Sequence, residues 1–226
     1  DAGAIDLGAS TVSGTYAVTA TASGDITDSG VLAITGASTL TVANGQSITL
    51  DQSSTFTGTV AFAASGGTIA GVTITDSNAF VLAALTLTGD LSVTAGGAVT
   101  DSGALVIPGT TTISASGYAV TLDNTSNNFT GAVGITGANV AVVDAGAIDL
   151  GASTVSGTYA VTATSGGDIT DSGALTVTGA ATFTAASGQS ITLDQSSTFS
   201  STVAFASGGT LAGVTITDSN AFDLAA

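Results

Sequence analysis

Apolar residues recur along this chain in pairs two positions apart, and the pairs come in threes. Between Asp28 and Asp51 they are Leu32/Ile34, Leu40/Val42 and Ile48/Leu50; after Asp101 they are Leu105/Ile107, Ile113/Ala115 and Val120/Leu122; after Asp171 they are Leu175/Val177, Phe183/Ala185 and Ile191/Leu193. A period of two places alternate side chains on one face of an extended strand. Three short strands punctuated by Gly, Ser, Asn and Asp are what one turn of a three-sided coil requires. The pattern therefore predicts an all-β, parallel β-solenoid (a three-sided β-helix) in which like residues of successive turns stack. One such turn buries too few apolar side chains to offset the entropy of ordering its backbone, so stability has to accumulate along the axis.

The acidic residues suggest the length of the turn. An Asp follows a strand-like run at Asp28, Asp51, Asp76, Asp101, Asp123, Asp144, Asp171, Asp194 and Asp218, and six such intervals separate Asp1 from Asp144. The expected unit is about 24 residues, and the expected count about nine turns. A longer period is unmistakable: the stretch from Asp1 to Ala84 recurs from Asp144 to Ala226 with one alanine deleted and 13 substitutions. The chain reads as a single continuous solenoid segment, 1–226, made of a super-repeat 1–143 and a partial second copy 144–226. The parent chain is expected to continue beyond Ala226 with something close to residues 85–97. A fainter half-repeat aligns GDITDSGVLAITG (24–36) with GAVTDSGALVIPG (97–109) and GDITDSGALTVTG (167–179).

Composition narrows the chemistry. Of 226 residues none is Lys, Arg, His, Cys, Met, Trp or Glu; the 16 acidic residues are all Asp, and the formal charge is −16. Imidazole bases, thiolates and soft metal ligands are thereby excluded, and with them the Ser-His-Asp, Cys-His and zinc sites. A polyanion without cations repels nucleic acid, so no nucleic-acid partner is expected. The 44% of hydrophobic residues argue against disorder, and no apolar run approaches the length of a membrane helix, so the segment is not expected to span a membrane. A transmembrane barrel of hairpins would also divide into units of this length, but the 5% of aromatic residues leave nothing for its aromatic girdles.

Two segments, SGQSITLDQSSTF (187–199) and ASGYAVTLDNTSNNFTGAVGITGANVAV (115–142), resemble repeats of filamentous-haemagglutinin-like exoproteins and adhesins of Gram-negative bacteria. The likeness lies in a Gly, an aliphatic-Thr-Leu-Asp run, a polar Asn/Ser stretch, then Phe-Thr-Gly and Val. It implies a right-handed parallel β-helix at the bacterial surface or outside the cell, serving adhesion, biofilm or cell–cell contact. No binding residue of that family carries over.

The expected function is that of a structural shaft in a secreted or cell-surface filament, without enzymatic activity. Its partners are further repeats or copies of itself, or a cell-surface or glycan receptor. The alternatives are a self-assembling, cation-bridged fibre or matrix protein and a repeated low-affinity glycan-binding surface. No catalytic or cofactor-binding residue is expected. The one metal hypothesis is that the nine Asp from Asp28 to Asp218 align, turn over turn, and that Ca²⁺ bridges them; otherwise each carboxylate caps its own turn through an Asx-type bond. Thr-x-Thr pairs such as Thr39/Thr41 and Thr182/Thr184 suggest an ice-binding array, except that Thr73/Thr75 stand in a different phase from the nearest Asp. Phe56, Phe129 and Phe199 are expected to form an interior or corner stack, and Pro108 a corner.

Overall fold

The computed structural model describes residues 1–225. It contains strands only, and every pairing among them is parallel; antiparallel hairpins, and with them the barrel alternative, do not occur among the described residues. The chain winds into a β-solenoid of about ten turns, roughly 22 residues apart. The first turn has strands Ile5–Leu7, Ser10–Val12 and Tyr16–Thr19, and the second Ile26–Asp28, Leu32–Ile34 and Ser38–Ala43. In register, Ile5 pairs with Ile26, Ser10 with Leu32 and Tyr16 with Ser38. Each apolar pair marked by the sequence lies inside: Leu32, Ile34, Leu40, Val42, Ile48 and Leu50 are at most 1% exposed.

The turns are not all of one size. On the first side Ile26 is followed in register by Ile48, Ile48 by Val72 and Val72 by Leu91, so that the turn from Ile48 is the longest of the three and the turn from Val72 the shortest. The super-repeat accordingly holds about seven turns where the Asp spacing implies six. The first side also changes form. In the third turn it is one bent strand, Ile48–Phe56, whose register slips between Leu50 and Ser54 against the shorter Val72–Asp76 that follows. The single strand Val133–Gly137 is in turn covered by two, Ile148–Leu150 and Ser153–Val155.

The half-repeat is a repeat of sequence but not of position. Ile26–Asp28 belongs to the long first-side sheet, whereas its counterpart Val99–Asp101 lies in the seven-stranded sheet on the second side. The same motif serves two sides because both ask for alternating burial and a corner at the Asp.

Corner glycines let turns approach closely. A methyl group on Gly36 would overlap the carbonyl oxygen of Gly14, and one on Gly58 or Gly131 would meet the carbonyl of Gly36 or Gly109 in the turn before. Pro108 occupies a bend between strands Leu105–Ile107 and Thr111–Ser114, where no ladder amide is needed.

Candidate functional site: the inter-turn carboxylates

The nine Asp do not form a column of carboxylates. Asp28 stands in register with Leu7, Asp101 with Leu82, Asp171 with Leu150, Asp76 with Ser54 and Ala95, Asp144 with Ala163 and Asp218 with Ser197. The expected alignment fails because Asp spacing and turn length differ, so successive Asp fall at different places around the coil. Among the described residues no three acidic side chains come close enough to hold a metal ion.

The carboxylates instead take up backbone amides of a neighbouring turn, the next one for Asp28, Asp101 and Asp171 and the preceding one for Asp76, Asp144 and Asp218. Asp28 Oδ1 accepts the N–H of Asp51 at 2.8 Å, and Asp171 Oδ1 that of Asp194 at 2.8 Å. Asp101 accepts the N–H groups of Asp123 and Asn124 at 3.1 and 3.2 Å and the Asn127 amide Nδ2–H at 2.6 Å. Asp51, Asp123 and Asp194 are thus brought beside Asp28, Asp101 and Asp171, but as donors through their backbones, with their own side chains exposed.

The other three residues close sheets. Phe56 ends one ladder and its N–H donates to Asp76 Oδ1 at 3.2 Å; Phe129 donates to Asp144 Oδ2 at 2.7 Å and Phe199 to Asp218 Oδ1 at 3.2 Å. Asp76, Asp144 and Asp218 also make the expected Asx turns, accepting from Asn78, Gly146 and Asn220. Each Phe is buried as expected, but the three do not stack on one another; Phe199 instead stands edge-on to Phe183 at 6.1 Å. At other corners Asp25, Asp90, Asp168, Asn44 and Asn139 accept amides of Ser47, Thr110, Ser190, Thr68 and Thr158. The spacing of the Asp does not disclose these cross-turn bonds, although the exclusive use of Asp over Glu is their signal: the shorter side chain suits a bond made from a corner to the neighbouring backbone.

Asp101 and Asp144 use both carboxylate oxygens, but four others use only one. The second oxygen of Asp28, Asp76, Asp171 and Asp218 is buried with no partner. Burial raises the carboxyl pKa of Asp28, Asp76, Asp144 and Asp171 above the ordinary value, against the opposing pull of the donated amides; the Asp194 carboxylate pushes Asp171 the same way. With no Lys, Arg or His in the chain, no side-chain cation offsets that cost.

The Thr-x-Thr pairs meet more regularly than their spacing suggests: Thr73/Thr75 lie under Ser92/Thr94, and these under Thr112/Ser114. Their side chains face outward, as suits β-branched residues on a strand.

Fold and site together define a parallel β-solenoid whose corners are tied by side-chain caps between turns. The chain belongs to the family of repeats of unknown function DUF5649, whose pattern matches three times in tandem, at residues 1–63, 70–136 and 137–206. No curated protein and no solved structure matches it.

Proposed function

We propose that the chain is a non-catalytic structural shaft, a length of a filament displayed on or released from a bacterial surface, in the manner of the filamentous-haemagglutinin-like repeats it resembles. The observation that carries this reading is the return of the same residues after about seven turns. Ile148–Leu150 and Tyr159–Ala163 repeat Ile5–Leu7 and Tyr16–Ala20 within one continuous stack. A unit that ends in the geometry in which it began can be added many times without altering the rod. The polar side chains support the same reading, because the buried carboxylates hold turns together and, among the described residues, no three acidic side chains converge. The uniform negative charge keeps neighbouring rods apart.

The test is a length series. Polypeptides of one, two and three super-repeats, imaged as single particles, should be rods that lengthen by about 34 Å per super-repeat, from seven turns at ~4.8 Å each. Compact particles, or a length that does not grow with repeat number, would sink the proposal.

A further inference from the structure

The second side of the solenoid is interrupted. Strands Tyr16–Thr19, Ser38–Ala43 and Val60–Ser65 form a three-stranded sheet that stops at Val60–Ser65, and a separate seven-stranded sheet starts at Phe80–Leu82. The cause is the change in turn size: the long turn from Ile48 to Val72 is followed by the short one from Val72 to Leu91. A turn shortened in this way cannot cover the whole of Val60–Ser65. The inward side chains record the gap, for Leu40 and Val42 are fully buried while Phe62 and Ala64, in register with them one turn later, are only partly so. At the start of the strand a cleft of about 130 Å³ opens between Phe56–Val60 and Ala79–Val81, and Val81 beside it is 48% exposed.

The backbone of this ledge is oriented for pairing. Ser38 N–H donates to the Thr59 carbonyl at 2.8 Å. Alternation in a parallel ladder then commits Thr59, Ala61 and Ala63 to the strand below and turns the N–H and C=O of Val60, Phe62 and Ala64 to the open side. Unlike Phe56, Phe129 and Phe199, this edge has no Asp cap. The second copy shows what such an edge accepts: Val203, the counterpart of Val60, donates to the Asp223 carbonyl and accepts from the Ala225 N–H, both at 2.9 Å, from an extended segment.

We propose that the ledge at Val60–Ser65 is a docking site for an extended, cationic segment of a partner polypeptide, added as one more parallel strand. Strand addition supplies main-chain bonds from alternate residues, and the cleft beside Val81 receives one apolar side chain of the guest. Charge selects the guest: a chain of formal charge −16 with no Lys or Arg repels a second copy of itself and attracts a segment flanked by basic residues. An unprotected edge in the middle of a rod is otherwise a liability that charged side chains or proline would blunt, and this strand, VAFAAS, carries neither. The inference goes beyond the shaft reading and does not depend on it.

The probe is a synthetic ten-residue peptide of alternating Val and Thr with two Lys at each end, labelled for fluorescence anisotropy. Saturable binding is expected at low salt, with at least ten-fold slower hydrogen exchange at the Phe62 and Ala64 amides. The same peptide N-methylated at alternate residues, or flanked by Glu, should bind at least ten-fold more weakly. Ala64→Pro removes an amide that the ladder below does not use and is tolerable on an edge; it should weaken binding at least ten-fold while circular dichroism and melting temperature stay near wild type. Equal binding of the N-methylated peptide would reduce the effect to bulk electrostatics and overturn the proposal. So would exchange protection elsewhere than this strand, no binding at millimolar peptide, or a dimer of the free chain that buries the edge.

Discussion

At the scale of single residues, the buried carboxylates set an unusual response to pH. A folded-state pKa above the unfolded one means that the folded chain binds more protons, so the stability it contributes is complete below the ordinary carboxylate pKa and is lost as pH rises through the folded value. For Asp28, Asp76, Asp144 and Asp171, all shifted upward by burial, acidification from neutral pH toward pH 4 should raise the melting temperature. Asp76→Asn keeps an acceptor for the Phe56 amide and removes the buried charge. It should be neutral or stabilising at pH 7 and should flatten the pH dependence; a loss of more than about 1 kcal/mol at pH 7 would contradict this account. Tyr159 is a second case. Its hydroxyl is fully buried without a partner, and the nearby Ser153 Oγ is engaged with the Ile135 amide and the Gly151 carbonyl. Tyr159→Phe should therefore stabilise the chain by about 1 kcal/mol in chemical denaturation.

At the scale of strands and corners, what the sequence disclosed and what it hid have separate physical origins. Alternation revealed the strands because burial of every second residue is a property of each strand by itself: Leu105–Ile107, Val120–Leu122 and Leu175–Val177 lie where their apolar pairs stand. Substitutions between the copies follow the same logic, Leu40 and Val42 becoming Phe183 and Ala185 on one strand, so that a larger side chain is matched by a smaller one two positions on. Register is a relation between strands, and there the Asp spacing misled, since an Asp marks a corner and any side of the coil has corners. The cross-turn caps were hidden for the same reason. Glycine gives a clean test of inter-turn spacing. Gly36→Ala drives a methyl into the Gly14 carbonyl and should cost about 1–3 kcal/mol. Gly146→Ala meets only the Asp144 carboxylate at ordinary contact distance, 3.6 Å, and should be nearly neutral. Equal effects at the two sites, measured by urea unfolding, would remove close approach as the role of the corner glycines.

For the whole molecule, cations are the variable of interest. The carboxylates occupy different positions around the coil, the buried ones are bonded to amides, and among the described residues no three converge, so millimolar calcium should leave the melting temperature unchanged apart from the general screening that an equal ionic strength of sodium also provides. A calcium-specific rise of several degrees would show a site that the arrangement of Asp side chains does not suggest. The charge also bears on assembly: light scattering at low salt should report separate particles, with association appearing as salt is added.

The hydrogen bonds that join successive turns lie along the axis of the stack. Tension between the two ends of such a rod would load them in series, one turn after another, rather than shearing many at once. Each turn that peels away releases about 22 residues of slack, up to roughly 75 Å when fully extended. A stack of this kind pulled from its two ends would yield in small, nearly equal steps, lengthening under a sudden jerk and rewinding when the load falls, as a shock absorber does.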